Sequence, residues 1–321
     1  MNWIWARNRV SEGPGQGTIV NRMLSILIVN WNTKELLRKC LQSIDDFPPS
    51  IPYETIVVDN DSHDGSFDML REEFPHVIAI QSGFNSGYAR GNNIAFSVAK
   101  GDWLLTLNPD TEFFDKTLQK SIEELSKNPE WGVMGIRLIG PEGETQKSVR
   151  GFPTPLGILG QLSGLDRRYP LSEFGSYTLP NFDYQSRGFA PQPMGTFLLF
   201  RRLSLVSVAD PRAPFDEQFP IFFNEVDLLK RLADAGVHCG YSGDCAVLHH
   251  HGAGTKQVRK SMIWESHRSL LRYFQKHLQG AQRLWLPAIA VAVTVGAFIR
   301  AKGYHAGFRP EHHNLQLEHD R

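Results

Sequence analysis

Four short apolar runs mark the first third of the chain: residues 24–29, 55–58, 77–80 and 103–107. Each has the length of a strand and is apolar at consecutive positions instead of alternate ones, the pattern of strands covered on both faces. Between the runs the period lengthens. Within residues 34–44, Leu36, Leu37, Cys40, Leu41 and Ile44 fall along one helical stripe. Asp64 stands where it can cap a helix beginning near Gly65, whose inner face carries Met69, Leu70 and Phe74. Residues 89–99 supply a third helix. Strand and helix alternating through short connections predict an α/β fold with a mostly parallel, Rossmann-like sheet and helices on both faces.

Ligands of such sheets bind beyond the carboxyl ends of the strands. Polar residues gather there in this chain. Asn30-Trp31-Asn32-Thr33 follows the first run and Asp59-Asn60-Asp61-Ser62 the second. The third leads into NSGYARGNN (residues 85–93), and the fourth, LLTLNPDT (residues 104–111), ends in Asn108-Pro109-Asp110-Thr111. Any one of these clusters reads equally well as a local turn, since Asn, Asp, Ser and Gly favour turns by themselves. Four at one edge of one sheet predict a site.

The second half has a different texture. Residues 148–155 (SVRGFPTP) and the Gly- and Pro-rich stretch 156–192 predict irregular chain. A strand is predicted over 194–202 and a helical core over 215–235, and residues 246–255 contain His249-His250-His251. Residues 284–299 are apolar throughout and bracketed by Arg283 and Arg300. Sixteen residues fall short of the roughly 20 of an untilted span, and Pro287 lies inside. An interfacial helix and a buried C-terminal helix are the two readings. The predicted division is a flexible extension over 1–22, a donor-binding half over 23–145, an acceptor half over 146–278 of the same domain, and a C-terminal apolar helix with a polar tail over 279–321.

Composition changes this picture only at its margins. The 321 residues suffice for a large core, and 34 basic against 34 acidic residues leave none of the positive excess of a nucleic-acid-binding chain. Cys40, Cys239 and Cys245 have neither zinc-ligand spacing nor an even count, which fits inert thiols in a reducing, cytoplasmic setting. The start of the chain lacks an apolar run suited to export.

Taken together, IVNWNTKELL (residues 28–37), VVDNDSHDGS (57–66), NSGYARGNN and LNPDT resemble the motifs of family 2 glycosyltransferases. SVRGFPTP, MGTFLLFRR (194–202), FDEQFPIFFNEVDLLKRLADAG (215–236) and VLHHHGAGT (247–255) are similar, in the same order, to a rhamnosyltransferase-like branch acting in surface-polysaccharide assembly. The resemblance covers about residues 24–277. It implies a GT-A fold, an inverting mechanism, a nucleotide-diphosphate sugar donor, a divalent metal (Mg2+ or Mn2+) and a saccharide or lipid-linked acceptor. If residues 284–299 make peripheral contact with the inner face of a membrane, a lipid-linked acceptor follows.

The residues agree with that chemistry. Asp59 is suited to accept from a base imide or ribose hydroxyl, with Asn30 and Asn32 closing the same pocket. Asn85, Gly87, Arg90 and Asn92 open a helix whose N–H groups suit a phosphate, with Arg90 as a charged partner. Asp110 is the metal ligand by its hard oxygen donors, and Asn108, where the family's generic motif has an acid, is an outer contact. His249 matches the family position contributing to metal or diphosphate, with its two histidine neighbours in the pocket or on the surface. Glu225 takes the place of the catalytic carboxylate, with Asp227 as its competitor and Asn224 at the first acidic position of the family. A nucleotidyltransferase would show a Gly-rich basic loop after the first strand, which residues 30–34 do not supply. A non-catalytic nucleotide-sugar-binding module fits Asn108 and Asn224, and fits poorly with Asp110, Glu225, Asp227 and His249. Trp264, His267, Arg268 and Arg272 recur at helical spacing, as an anion-facing or a solvated face.

Overall fold

A computed structural model describes residues 22–208, 210–250 and 259–303. Its first half winds as the apolar pattern predicts. β1 (Leu24–Asn30), α1 (Lys34–Asp46), β2 (Tyr53–Asp59), α2 (Ser66–Glu73), β3 (Ile78–Gln81), α3 (Tyr88–Val98) and β4 (Trp103–Leu107) alternate in order. β1 pairs in parallel with β2 and β4, and β2 with β3. The register sets Asn30 beside Asp59, Asp59 beside Gln81, and Ile28 beside Leu107, so these strands end almost level at one edge. Every position of β1 is buried because its side chains serve two layers in turn. Ile26 and Ile28 pack with Leu37 and Leu41 of α1, while Leu27 packs with Ala95 and Phe96 of α3.

The continuation is β5 (Thr111–Glu112), α4 (Thr117–Lys127), β6 (Trp131–Ile139), β7 (Val149–Arg150), α5 (Pro155–Ser163), α6 (Leu165–Arg168), β8 (Arg187–Phe189) and β9 (Gln192–Pro193). After these come β10 (Phe197–Arg201), α7 (Arg202–Leu205), α8 (Asn224–Asp234), β11 (His238–His249), α9 (Arg259–His277) and α10 (Leu286–Arg300). The main sheet runs β3-β2-β1-β4-β10-β6-β11-β5, with β8 also on β11 and β7-β9 as a separate pair. β10 is antiparallel to both β4 and β6, and β11 is parallel to β6. His249, at the end of β11, therefore emerges at the same edge as Asn30, Asp59 and Asn108. The sheet is mostly parallel and flanked by helices, the architecture of GT-A glycosyltransferases.

Several expectations are corrected. The third apolar run is an edge strand and not one covered on both faces, since only β2 pairs with it and Ile78 is exposed. The predicted helical core over 215–235 contracts to α8, because Phe223 sits at φ 66°, where a helix cannot continue backwards. The stretch 156–192 is not wholly irregular: it opens with α5 and α6.

The apolar C-terminal segment is helical from Gly280, through a single 3₁₀ stretch, to Arg300, and at 21 residues is long and apolar enough to cross a membrane. The buried-helix reading fails, for Trp285 is 62% and Ile299 66% exposed and only Ala297 is buried. α10 instead lies along α9, with Ala297 and Ala301 against Trp264. The Trp264 indole N–H donates to the Gly303 carbonyl at 3.2 Å.

The close approach of α3 to β1 depends on Gly91, where an added Cβ would stand 2.7 Å from a methyl of Val29. Gly91→Ala should lower stability by about 1–3 kcal/mol through overpacking. Denaturant titration reads this, and an unchanged midpoint would show that the α3–β1 contact has slack.

Candidate active site

Short polar side chains dominate the strand ends because these turns use left-handed backbone, Asn32 at φ 51° and Asp61 at φ 65°. Their hydrogen bonds also join adjacent strands. The Asn30 amide donates to Asp59 Oδ1 at 3.0 Å and to Ser62 Oγ at 3.1 Å, and Asn30 Oδ1 accepts from Thr33 at 2.6 Å. The Ser62 N–H donates to Asp59 Oδ2 at 3.0 Å, and the His63 N–H to Asn32 Oδ1 at 2.8 Å. Asn30 and Asp59 are both 0% exposed. Asp59 is thus the girder of this turn, and direct contact with a ligand would require the turn to open. Asp64 caps as predicted, accepting from Ser66 N–H at 3.0 Å, and it also accepts from Lys34 N–H at 2.8 Å.

Asn60, which the sequence offers only as part of a motif, links this turn to the next. Its amide donates to Asn85 Oδ1 at 3.0 Å and to the Gly87 carbonyl at 3.2 Å, while its oxygen accepts from Ser86 N–H at 3.0 Å. Gly87 is obligatory on two counts. Its φ is 88°, and a Cβ there would lie 2.7 Å from the Pro220 carbonyl oxygen. That carbonyl accepts from Ala89 N–H at 3.0 Å. Asn93 completes the seam: its amide donates to Phe215 O at 3.0 Å and Glu217 Oε1 at 3.1 Å, and its oxygen accepts from Phe215 N–H at 3.0 Å. Asn92 is fully buried and donates to the Tyr88 carbonyl at 2.9 Å. Arg90 is exposed, its guanidinium 5.0 Å from the ring of Phe84.

On the other side of β4, β5 pairs with the end of β11 and sets His249 opposite Thr111. The Asp110 carbonyl accepts from His250 N–H at 2.9 Å, and His249 Nε2 lies 3.5 Å from Asp110 Oδ1. Gln146 fixes the ring. Its amide N–H donates to the His249 carbonyl at 2.9 Å, which turns Oε1 toward His249 Nδ1 at 2.7 Å. An amide oxygen only accepts, so Nδ1 carries a proton, and in the neutral imidazole Nε2 presents its lone pair toward the carboxylate. A lone pair and a carboxylate oxygen converging at this distance, with a ligand-orienting amide behind them, suit a divalent cation. Among the described residues no group of three or more His, Cys, Asp and Glu converges on one point. Asn108 is half-buried; its N–H donates to Thr196 O at 3.0 Å. His250 pairs with Glu112 at 2.7 Å. His251, Gly252 and Thr255 lie outside the described residues.

The first turn of α8 carries two carboxylates with opposite surroundings. Glu225 is half-buried against Gly195, where a Cβ would come within 3.3–3.5 Å of its side chain. Burial pushes the Glu225 carboxyl above the ordinary range, and the backbone N–H groups of Glu225 and Val226 only partly oppose this. Tyr88, whose hydroxyl donates to Gly195 O at 3.4 Å, is held up first by burial and then by the charges of Glu225 and Asp110. It therefore lies in reach of both. Tyr177 also feels Glu225, and Arg150 is 5.4 Å from its ring.

Asp227 is 0% exposed and fully engaged: Arg231 Nε at 2.8 Å, Lys276 Nζ at 2.7 Å and His277 Nε2 at 2.8 Å. Burial pushes its carboxyl up, but the bonds from His277 and Lys276 and the Arg231 charge outweigh it and hold it below the usual carboxylate range. At 2.7 Å, Glu265 takes Arg272 in a buried pair on α9, so Arg272 is committed within the protein.

Residues 25–192, just over half of the 321, match the family described as Glycosyl transferase family 2. The chain is 24% identical to the N-acetylglucosaminyl-diphospho-decaprenol L-rhamnosyltransferase of Mycobacterium tuberculosis, over 77% of this chain and 82% of that one. It is also 24% identical to the O-antigen biosynthesis protein RfbC of Myxococcus xanthus, over 73% of this chain and 18% of that one. Among solved structures, a mannosyltransferase from Pyrobaculum calidifontis in complex with GDP-Man and Mn2+ superposes with TM-score 0.53 at 14% identity, covering 88% and 76% of the two chains. S. aureus TarS in complex with UDP superposes with TM-score 0.50 at 15% identity, covering 86% and 72%. These likenesses establish the fold, and the matched residues establish more: the chain belongs to glycosyl transferase family 2.

Proposed function

We propose that the chain is an inverting glycosyltransferase that moves a sugar, rhamnose by likeness to the mycobacterial relative, from a nucleotide diphosphate to a lipid-linked saccharide. The observation that carries this reading is the joint presence of a half-buried carboxyl raised by burial, Glu225, and of Asp110 and His249 3.5 Å apart, with the Tyr88 hydroxyl feeling the charges of Glu225 and Asp110. The acceptor hydroxyl attacks the anomeric carbon, the bond from that carbon to the diphosphate oxygen breaks, and the hydroxyl proton passes to the Glu225 carboxylate. Attack from the side opposite the leaving group inverts the anomeric centre. Asp110 and His249 would hold a divalent cation, with the donor diphosphate supplying further oxygens; bound there, the cation neutralises charge building on the leaving group. The exposed Arg90 would be the charged partner of the phosphates, since the N–H groups of Ser86, Gly87, Ala89 and Gly91 are taken within the protein, and Asn30, Asn32 and Asp59 shape the nucleotide pocket, Asp59 from beneath.

A Glu225 base is favoured over Asp227 because Asp227 is already engaged by the cations Arg231 and Lys276 and the imidazole of His277 and has no exposed surface. Glu225→Gln should abolish transfer and leave donor affinity and fold intact, read by turnover, calorimetry and thermal melting. Asp227→Asn should instead cost about 1–3 kcal/mol by weakening the bonds that a fully buried carboxylate makes to Arg231, Lys276 and His277. Loss of transfer in Asp227→Asn at wild-type stability would move the base to Asp227.

The two carboxyls also have opposite pH signs. The folded protein binds the Glu225 proton more tightly than the unfolded chain, so that contribution to stability is present below the unfolded pKa and lost as pH rises through the folded one. At neutral pH Glu225→Gln should accordingly be at least as stable as the parent. The acid limb of kcat/KM should fall at a higher pH than an ordinary glutamate dictates. For Asp227 the folded pKa is depressed, so its stabilisation is present above the unfolded pKa and disappears as pH falls through the folded value.

For the metal, Asp110→Asn should remove metal-stimulated turnover. Gln146→Leu should raise the half-saturating Mn2+ concentration by about 10–100-fold, as expected for loss of a ligand-orienting partner. A wild-type metal response in both variants would remove Asp110 and His249 from the site. Thermal-shift screening of UDP-, GDP- and dTDP-sugars with Mg2+ or Mn2+ identifies the donor.

A further inference from the structure

α5 is built inside out for a helix on a soluble surface. Its inward positions are glycines, packed so closely that a Cβ on Gly160 would stand 2.2 Å from Phe174 O and one on Gly157 2.9 Å from the Tyr177 Cβ. Its outward positions are Leu156, Leu159 and Leu162, the last 75% exposed. On a globular helix the apolar stripe faces the core, so exposed leucines at this spacing leave a face without a partner among the described residues.

This face is joined to α10. Ile158 of α5 and Leu286 and Ile289 of α10 pack against one buried cluster, which includes Phe219, Val226 and Tyr273. Both helices thus border that cluster, and Leu284 and Trp285 are exposed just before α10. The charge around it is mainly basic. Residues 155–175 carry exposed Arg167 and Arg168 against one exposed acid, Glu173, their other acid, Asp166, being buried. Residues 279–303 carry Arg283, Arg300 and Lys302 and no acid.

We infer that α5 and α10 together form a docking surface for an anionic lipid bilayer, with α10 lying in the interface instead of crossing it. Apolar side chains beside a mainly basic rim, with a tryptophan at the boundary, are the composition that interfacial helices present to anionic membranes. A span by α10 would draw α9 with it, because Ala297 and Ala301 are buried against Trp264, and α9 carries Lys260, Arg268 and Lys276. The inner face of α5 touches Tyr177, which senses the Glu225 charge. The helix therefore separates the reacting hydroxyl from the bilayer by its own thickness, so that the acceptor's saccharide reaches Glu225 while its lipid stays in the membrane. This inference deepens the reading of a lipid-linked acceptor given above.

The test is co-sedimentation of the full chain with phosphatidylcholine vesicles, with and without phosphatidylglycerol, which reads docking without turnover. Binding should require phosphatidylglycerol and weaken with salt. Leu159→Asp with Leu162→Asp should abolish it, and Arg167→Ala with Arg168→Ala should weaken it by on the order of 10-fold. Both variants should keep the wild-type melting temperature and donor binding, which separates failure of docking from failure of the enzyme reading. Vesicle binding that survives the double aspartate change, or resists alkaline extraction as a spanning helix does, would overturn the surface. So would a concentration-dependent dimer, lost in the same variant, in a chain that ignores vesicles.

Discussion

The seam between α3 and residues 215–220 is the constraint on which the rest of the site depends. Glu225 and Asp110 come from different parts of the chain, and no strand pairing sets their separation directly. What sets it is the Pro220 carbonyl accepting from Ala89 N–H, and Asn93 clamping Phe215 through both its carboxamide ends. Asn93 is almost wholly buried, so each of these bonds is one that water cannot replace, and losing one leaves a polar group stranded at a cost of about 1–3 kcal/mol. The seam also explains why Gly87 tolerates nothing larger. A side chain there would strike Pro220 and push the start of α8 away from the sheet edge.

The second determinant is electrostatic. Glu225 and Asp227 stand two residues apart at the same helix N-terminus and share its favourable field for anions. Their fates differ because α9 supplies Lys276 and His277 to one and nothing to the other. Asp227 becomes a structural knot that also holds Arg231, whose guanidinium donates on to Pro214 O at 2.7 Å. That knot fixes the axis of α8, and with it the direction in which Glu225 points. Glu225 is left with burial as its main influence, a state unfavourable for stability and favourable for a base. One helix turn thus carries both a carboxylate stabilised by its partners and one that burial disfavours in its charged form.

What could be read from the sequence follows from what is local. The apolar runs, the turns at their ends and the helical stripes depend on residues a few positions apart, and β1, β2, β4, α1 and α3 came out accordingly. The level ends of the strands followed from short connections. Long-range pairings were not legible. β10 enters antiparallel between β4 and β6, a placement that no local pattern encodes. Gln146 orients His249 from 103 residues away, and His277 engages Asp227 from 50 residues away. Asp59 reads as a ligand contact because its motif ends a strand, and its carboxylate also bonds Asn30 and Ser62, a tie across strands that the motif does not reveal. α5 was hidden for a different reason: its glycines imitate a loop, and its leucines face outward.

That inversion bears on how the enzyme's specificity is divided. A soluble sugar acceptor would need only the cleft between Glu225, Gly195 and Tyr177. An acceptor anchored in a bilayer must be met at a fixed height, and height is a property of the whole molecule, set by which surface rests on the membrane. The glycines of α5 bring residues 174–177 within contact of the helix backbone, so the wall of the cleft and the apolar surface are one helix thick. Larger side chains at Gly157 and Gly160 would strike Tyr177 and Phe174. On the docking proposed above, the glycine pattern would fix the distance between chemistry and membrane, with the helix itself as the spacer.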